Sequence, residues 1–208
     1  FDEPLYDLVP KKEESKAPVF FESNRASKID AAQLISLANS WNNSSKKLIL
    51  VGEHFPDPEL KKWLVEYSND PSVLILIENT ANVAHEKFIN SIDKLIFPFN
   101  ADELLDFQPD ILLSLGGMIV SKKIKKHLRK YKPEKHWHVD QKREFDTFHC
   151  LNAQISFTPT HCFREFSNHV KHVQSNYQHF WLTKKAYRLG RHAAFLNHCE
   201  YSDLKVFN

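Results

Sequence analysis

Short runs of consecutive apolar residues recur along this chain, separated by amphipathic stretches. The clearest are Lys47-Leu-Ile-Leu-Val51, Val73-Leu-Ile-Leu-Ile77 and Ile111-Leu-Leu-Ser-Leu115. A strand that is apolar at nearly every position has to be covered on both faces, which is the situation of a parallel strand inside an α/β sheet. The segments between the runs carry apolar residues at helical spacing behind capping residues. Asp57-Pro58 leads into Leu60, Trp63, Leu64 and Tyr67, and Ser121 leads into Ile124, Leu128 and Tyr131. The alternation predicts a doubly wound α/β fold, a mainly parallel sheet with helices on both faces.

The remaining segments are placed by the same rules. Residues 1–26 hold three prolines and no period, and read as a linker entering the domain. Ser27-Lys-Ile-Asp30 has the capping-box pattern and opens a helix ending near Trp41. Residues 85–90 are expected to be helical, Lys94-Leu-Ile-Phe97 to be a short strand, and Asn100 to cap a small helix ending before Pro109. Strands are expected at Trp137-His-Val139 and Ile155-Ser-Phe157, with a helix from Thr158-Pro159. Residues 175–199 read as a helix interrupted at Gly190, followed by a new element at Tyr201–Phe207. The expected division is a linker (1–26), a central α/β domain (27–174) and a helical linker (175–208).

Composition narrows the function. The 208 residues are 42% hydrophobic with a net charge of +2, enough for one core and too little charge for a nucleic-acid binder. No apolar run approaches the roughly 18 residues of a membrane helix. Cys150, Cys162 and Cys199 are odd in number and widely spaced, which with no recognisable secretory leader points to a reducing, cytoplasmic setting. The sole methionine is Met118, so the chain is expected to derive from something longer. Basic residues concentrate in 121–150, where ten Lys or Arg face four acids.

Ligands of such a sheet bind beyond the carboxyl ends of its strands. The loop after the first strand, Gly52-Glu-His-Phe-Pro56, lacks the glycine fingerprint of a dinucleotide site, and no Walker loop is present. The loop after the Ile111 run is better suited: Gly116-Gly117 permits unusual backbone angles and Ser121 opens a helix whose free N–H groups favour anions. Lys122 and Lys123 follow in its first turn. Lys122 is the candidate anion ligand; the alternative is one more solvated lysine in the run through Lys132. His136, His138 and Asp140 share one side of a predicted strand and resemble a metal constellation, although three ligands along one strand rarely converge on an ion. No nucleophile elbow or paired cysteines stand out.

Four stretches carry a resemblance to a known family. Phe1-Asp-Glu-Pro-Leu-Tyr6, Leu113-Ser-Leu-Gly-Gly-Met-Ile-Val-Ser-Lys122, His136-Trp-His-Val-Asp140 and Tyr201-Ser-Asp-Leu-Lys-Val-Phe207 resemble the middle portion of the 2-succinyl-5-enolpyruvyl-6-hydroxy-3-cyclohexene-1-carboxylate synthase (MenD) family. The resemblance implies the central, Rossmann-like domain of a cytoplasmic transferase of menaquinone biosynthesis. Such an enzyme decarboxylates 2-oxoglutarate on thiamine diphosphate with Mg²⁺ and adds the product to isochorismate. Both cofactors are then held by flanking domains of the same chain, so none is expected in this segment, which is inactive alone. The full-length partners implied are a homodimer or homotetramer and small carboxylate substrates, with no nucleic acid and no membrane. Lys122 matches the family lysine that reaches a substrate carboxylate, with Ser121 and Lys123 as possible helpers. Many members carry arginine where Lys123 stands, and the lysine here lacks arginine's bidentate fork. A nucleotide- or flavin-binding module is the competing reading.

Overall fold

The computed structural model describes residues 31–206 of the chain. The predicted entry linker, the Ser27–Asp30 capping box, the Phe1–Tyr6 motif and Phe207 lie outside the described residues. Six parallel strands form one sheet: β1 (Lys47–Val51), β2 (Val73–Ile77), β3 (Phe88–Ile89), β4 (Ile111–Leu115), β5 (Lys135–Val139) and β6 (Leu151–Ile155). Their spatial order is β3-β2-β1-β4-β5-β6. The chain winds outward in one direction from β1, then returns and winds the other way from β4. The reversal places a switch point between β1 and β4, where their carboxyl-end loops meet.

The helices are α1 (Ala31–Asn42), α2 (Pro58–Tyr67), α3 (Ile92–Ile96), α4 (Ala101–Asp106), α5 (Lys122–Lys130), α6 (Pro159–Ser167), α7 (Tyr177–His198) and α8 (Asp203–Val206). Alternate residues of each strand point to opposite faces. Ile49, Val51, Ile75, Leu113, Trp137 and Val139 pack with Trp41 of α1, Leu60 and Leu64 of α2, and Phe163 and Phe166 of α6. Leu48, Leu50, Leu74, Leu76 and Leu112 pack on the other face with Leu95 of α3, Ile124 and Leu128 of α5, and Tyr177 and Trp181 of α7. The doubly wound reading, a parallel sheet with helices on both faces, therefore holds.

Particular expectations fail for local reasons. Lys94-Leu-Ile-Phe97 is not a strand: most of it lies in α3, whose inward residues Ile92, Leu95 and Ile96 read as a continuous apolar run only because the helix is so short. The segment expected to be helical instead supplies the two-residue edge strand β3. The last strand lies at Leu151–Ile155, shifted from the expected Ile155–Phe157, and its edge position leaves it only partly buried. Helix α7 runs through Gly190 without a break. Its first turn is anchored in the domain, with Tyr177 Oη donating to the Phe107 carbonyl at 2.8 Å and Gln178 Nε2 donating to the Val73 carbonyl at 2.7 Å.

The amino end of the sheet holds one buried ion pair. Lys47 Nζ, fully buried, lies 3.0 Å from Asp70 Oδ2 and 5.1 Å from the centre of the Trp41 ring. Asp70 Oδ1 also accepts from the Ser72 hydroxyl and amide at 2.6 and 2.9 Å. Burial pushes the Asp70 carboxyl up, but hydrogen bonds from Ser72 and Lys47 prevail and hold it below its ordinary value. Among the described residues no helix is long and apolar enough to cross a membrane.

Candidate functional site

The switch point is closed by backbone. Glu53 N–H donates to the Met118 carbonyl at 3.2 Å, and Gly117 N–H donates to the Glu53 carbonyl at 2.7 Å. A Cβ on Gly52 would lie 2.6 Å from the Gly117 oxygen, and one on Gly116, whose φ is +79°, would lie 2.7 Å from the Glu53 oxygen. The glycines thus serve the approach of the two loops to each other. The loop after β2 joins them, since His54 N–H donates to the Thr80 carbonyl and Asn82 Nδ2 to the His54 carbonyl. Asn82 takes a left-handed conformation, φ 54°, in which asparagine is tolerated.

This arrangement weighs against a dinucleotide at the first crossover. Where a pyrophosphate would approach the amino end of α2, Asp57 Oδ1 already accepts from the amides of Glu59 and Leu60 at 2.9 and 3.0 Å. A second carboxylate, Glu59, stands in the first turn. An incoming anion would meet like charge.

The turn into α5 is held from three sides. Ser121 Oγ accepts from the Ile124 amide at 3.1 Å, an ordinary cap, and donates to Asp93 Oδ1 of α3. Ser121 N–H donates to Glu78 Oε1, just beyond β2, at 2.9 Å. The amide and the hydroxyl of Ser121 are therefore both engaged within the protein. Lys122 is exposed at the start of α5 and lines an open groove of about 530 Å³ with Lys125, Lys126, Arg129 and Lys130. Among the described residues no carboxylate pairs with these five cations. The Lys123 ammonium instead sits 4.4 Å from the centre of the exposed Phe97 ring.

His136 and His138 do come together, but on a hydroxyl. Ser114 Oγ lies 2.7 Å from His136 Nε2 and 2.9 Å from His138 Nδ1, and all three side chains are buried. Burial pushes His136 down to about 4, reinforced by His138 and opposed by Asp146; His138 moves down for the same first reason. Asp140 turns away to accept from the amides of Lys142 and Arg143. Among the described residues no group of three His, Cys, Asp or Glu side chains is placed to hold a metal. Sequence reading paired the two histidines but missed Ser114 between them, whose signal was a lone serine in an apolar strand. It also missed Glu78 and Asp93.

Comparison with family models returned no match. Curated relatives named 2-succinyl-5-enolpyruvyl-6-hydroxy-3-cyclohexene-1-carboxylate synthase do match. The Flavobacterium psychrophilum protein is 38% identical over 208 residues, covering all of this chain and 37% of the relative. The Flavobacterium johnsoniae protein is 37% identical, with 100% and 37% covered, and that of Christiangramia forsetii is 40% identical, with 99% and 36% covered. The chain spans little more than a third of the length of these relatives. Along its whole length it is similar to one segment of proteins named 2-succinyl-5-enolpyruvyl-6-hydroxy-3-cyclohexene-1-carboxylate synthase.

Proposed function

We propose that the chain is the central domain of a menaquinone-biosynthesis synthase that decarboxylates 2-oxoglutarate on thiamine diphosphate and adds the product to isochorismate. The observation that carries this reading is the match of 37–40% identity across essentially the entire chain to relatives that are all named for this synthase. The described residues offer no metal-binding set, so no step through thiamine diphosphate or Mg²⁺ is assigned to them. Those groups supply carbanion chemistry when bound and belong to flanking parts of the full-length chain.

The role left to this segment is to carry a fixed loop and one cation toward the substrate. Lys122, uncommitted among the described residues and extending from a turn tied to two other segments, is suited to meet a substrate carboxylate. Ser121 then shapes the turn, and Lys123 is turned toward Phe97. The test is to express the full-length protein and assay product formation from 2-oxoglutarate and isochorismate with thiamine diphosphate and Mg²⁺. Activity of the full-length protein with none from the 208-residue segment is expected. An inactive, folded full-length protein overturns the assignment.

A further inference from the structure

We infer that Glu78 and Asp93 are positioning residues for Lys122: by holding the Ser121 turn they set where its ammonium stands, and so how tightly the carboxylate substrate binds. This rests on the reading of Lys122 given above. The hydroxyl of Ser121 capping the Ile124 amide is a complete helix cap by itself. Two carboxylates brought from 43 and 28 residues away in sequence add bonds beyond what capping requires. Glu78 is buried, and a buried carboxylate is tolerated only where donors meet it. Its donor is the amide directly before Lys122.

The rest of the loop has the same character. Its backbone is fixed at Gly117 and Met118 by Glu53 and at Ser121 by Glu78, while the side chains of Met118 and Val120 stand 67% and 53% exposed. A rigid backbone presenting outward side chains is the geometry of a preorganised recognition loop. Neither carboxylate forms an ion pair with Lys122 among the described residues, so the charge of Lys122 is left for an incoming anion.

The test uses the full-length synthase, with Glu78→Gln, Asp93→Asn and Lys122→Ala, and each carboxylate variant combined with Lys122→Ala. Asp93 is exposed, so Asp93→Asn remains informative should Glu78→Gln fold poorly. Each carboxylate variant is expected to raise KM for the carboxylate substrate about threefold to tenfold with kcat unchanged, and to add nothing on top of Lys122→Ala. A purely structural role would instead give effects that add in the double variants. Unchanged KM in both single variants, or additive losses, overturns the inference while leaving Lys122 in place. An unchanged KM in Lys122→Ala removes the reading of Lys122 and this inference with it.

Discussion

Gly52→Ala is a sharp test of the loop packing that shapes the carboxyl edge of the sheet. The new Cβ would stand 2.6 Å from the Gly117 oxygen, 3.0 Å from Ile119 Cδ1 and 3.2 Å from the Gly117 carbon. The nearest atom is backbone, and that backbone is fixed because Gly117 N–H donates to the Glu53 carbonyl at 2.7 Å. Relief requires the loop to shift and weaken at least one of the bonds joining Glu53 to Gly117 and Met118. Overpacking costs about 1–3 kcal/mol and a weakened hydrogen bond about 1 kcal/mol more, so about 2–4 kcal/mol is expected. For a chain of this size that corresponds to a fall in Tm of about 4–16 °C. Gly190→Ala provides the opposite sign: nothing lies within 4 Å of its Cβ position and it sits inside α7, so it should stabilise by about 0.5–1 kcal/mol. Urea unfolding of both variants decides the matter. A Gly52→Ala unfolding free energy within about 0.5 kcal/mol of the parent would refute the close packing of the two loops.

Other perturbations follow from the buried polar groups. Asp70→Asn leaves the fully buried Lys47 ammonium without its counter-charge and should cost about 3–5 kcal/mol in urea unfolding, whereas Lys47→Met should cost much less. Ser114→Ala removes the shared partner of His136 and His138 and should cost about 1–3 kcal/mol, read from the same transition. Burial lowers His127 and His136 to about 4, below the value near 6.5 of the unfolded chain. The unfolded state therefore binds more protons between these values, and stability should decline as pH falls from about 6.5 to about 4. Both ring nitrogens of His127 lack a partner among the described residues, so His127→Leu should be neutral or stabilising at pH 7 and should flatten that decline. A slope unchanged by the substitution would contradict the assignment.

The extent to which sequence foretold structure follows from what each element needs. Strands β1, β2 and β4 are buried on both faces, so their need for apolar residues is written into consecutive positions. Two-residue β3 is too short to show any period, and α3 shows that a brief apolar run fits a helix as well as a strand. Edge strand β6 contains Asn152 and Gln154 and carries no such run. In the candidate site, the Ser121 cap and Lys122 were legible because capping is local. Glu78 and Asp93 were not, since only the fold brings carboxylates from the loop after β2 and from α3 to one turn. The histidines lay on one side of β5 as the alternation predicts, but their partner Ser114 comes from the neighbouring strand, through pairing that a single segment does not reveal.

The most direct measurement is steady-state kinetics of Lys122→Ala in the full-length protein, assayed for the synthase activity proposed above, beside its unfolding midpoint. Loss of a charge-assisted bond to a substrate carboxylate should raise KM for that substrate about tenfold while kcat and the midpoint stay close to the parent. KM and kcat both equal to those of the parent would contradict the claim that this segment presents Lys122 to the substrate.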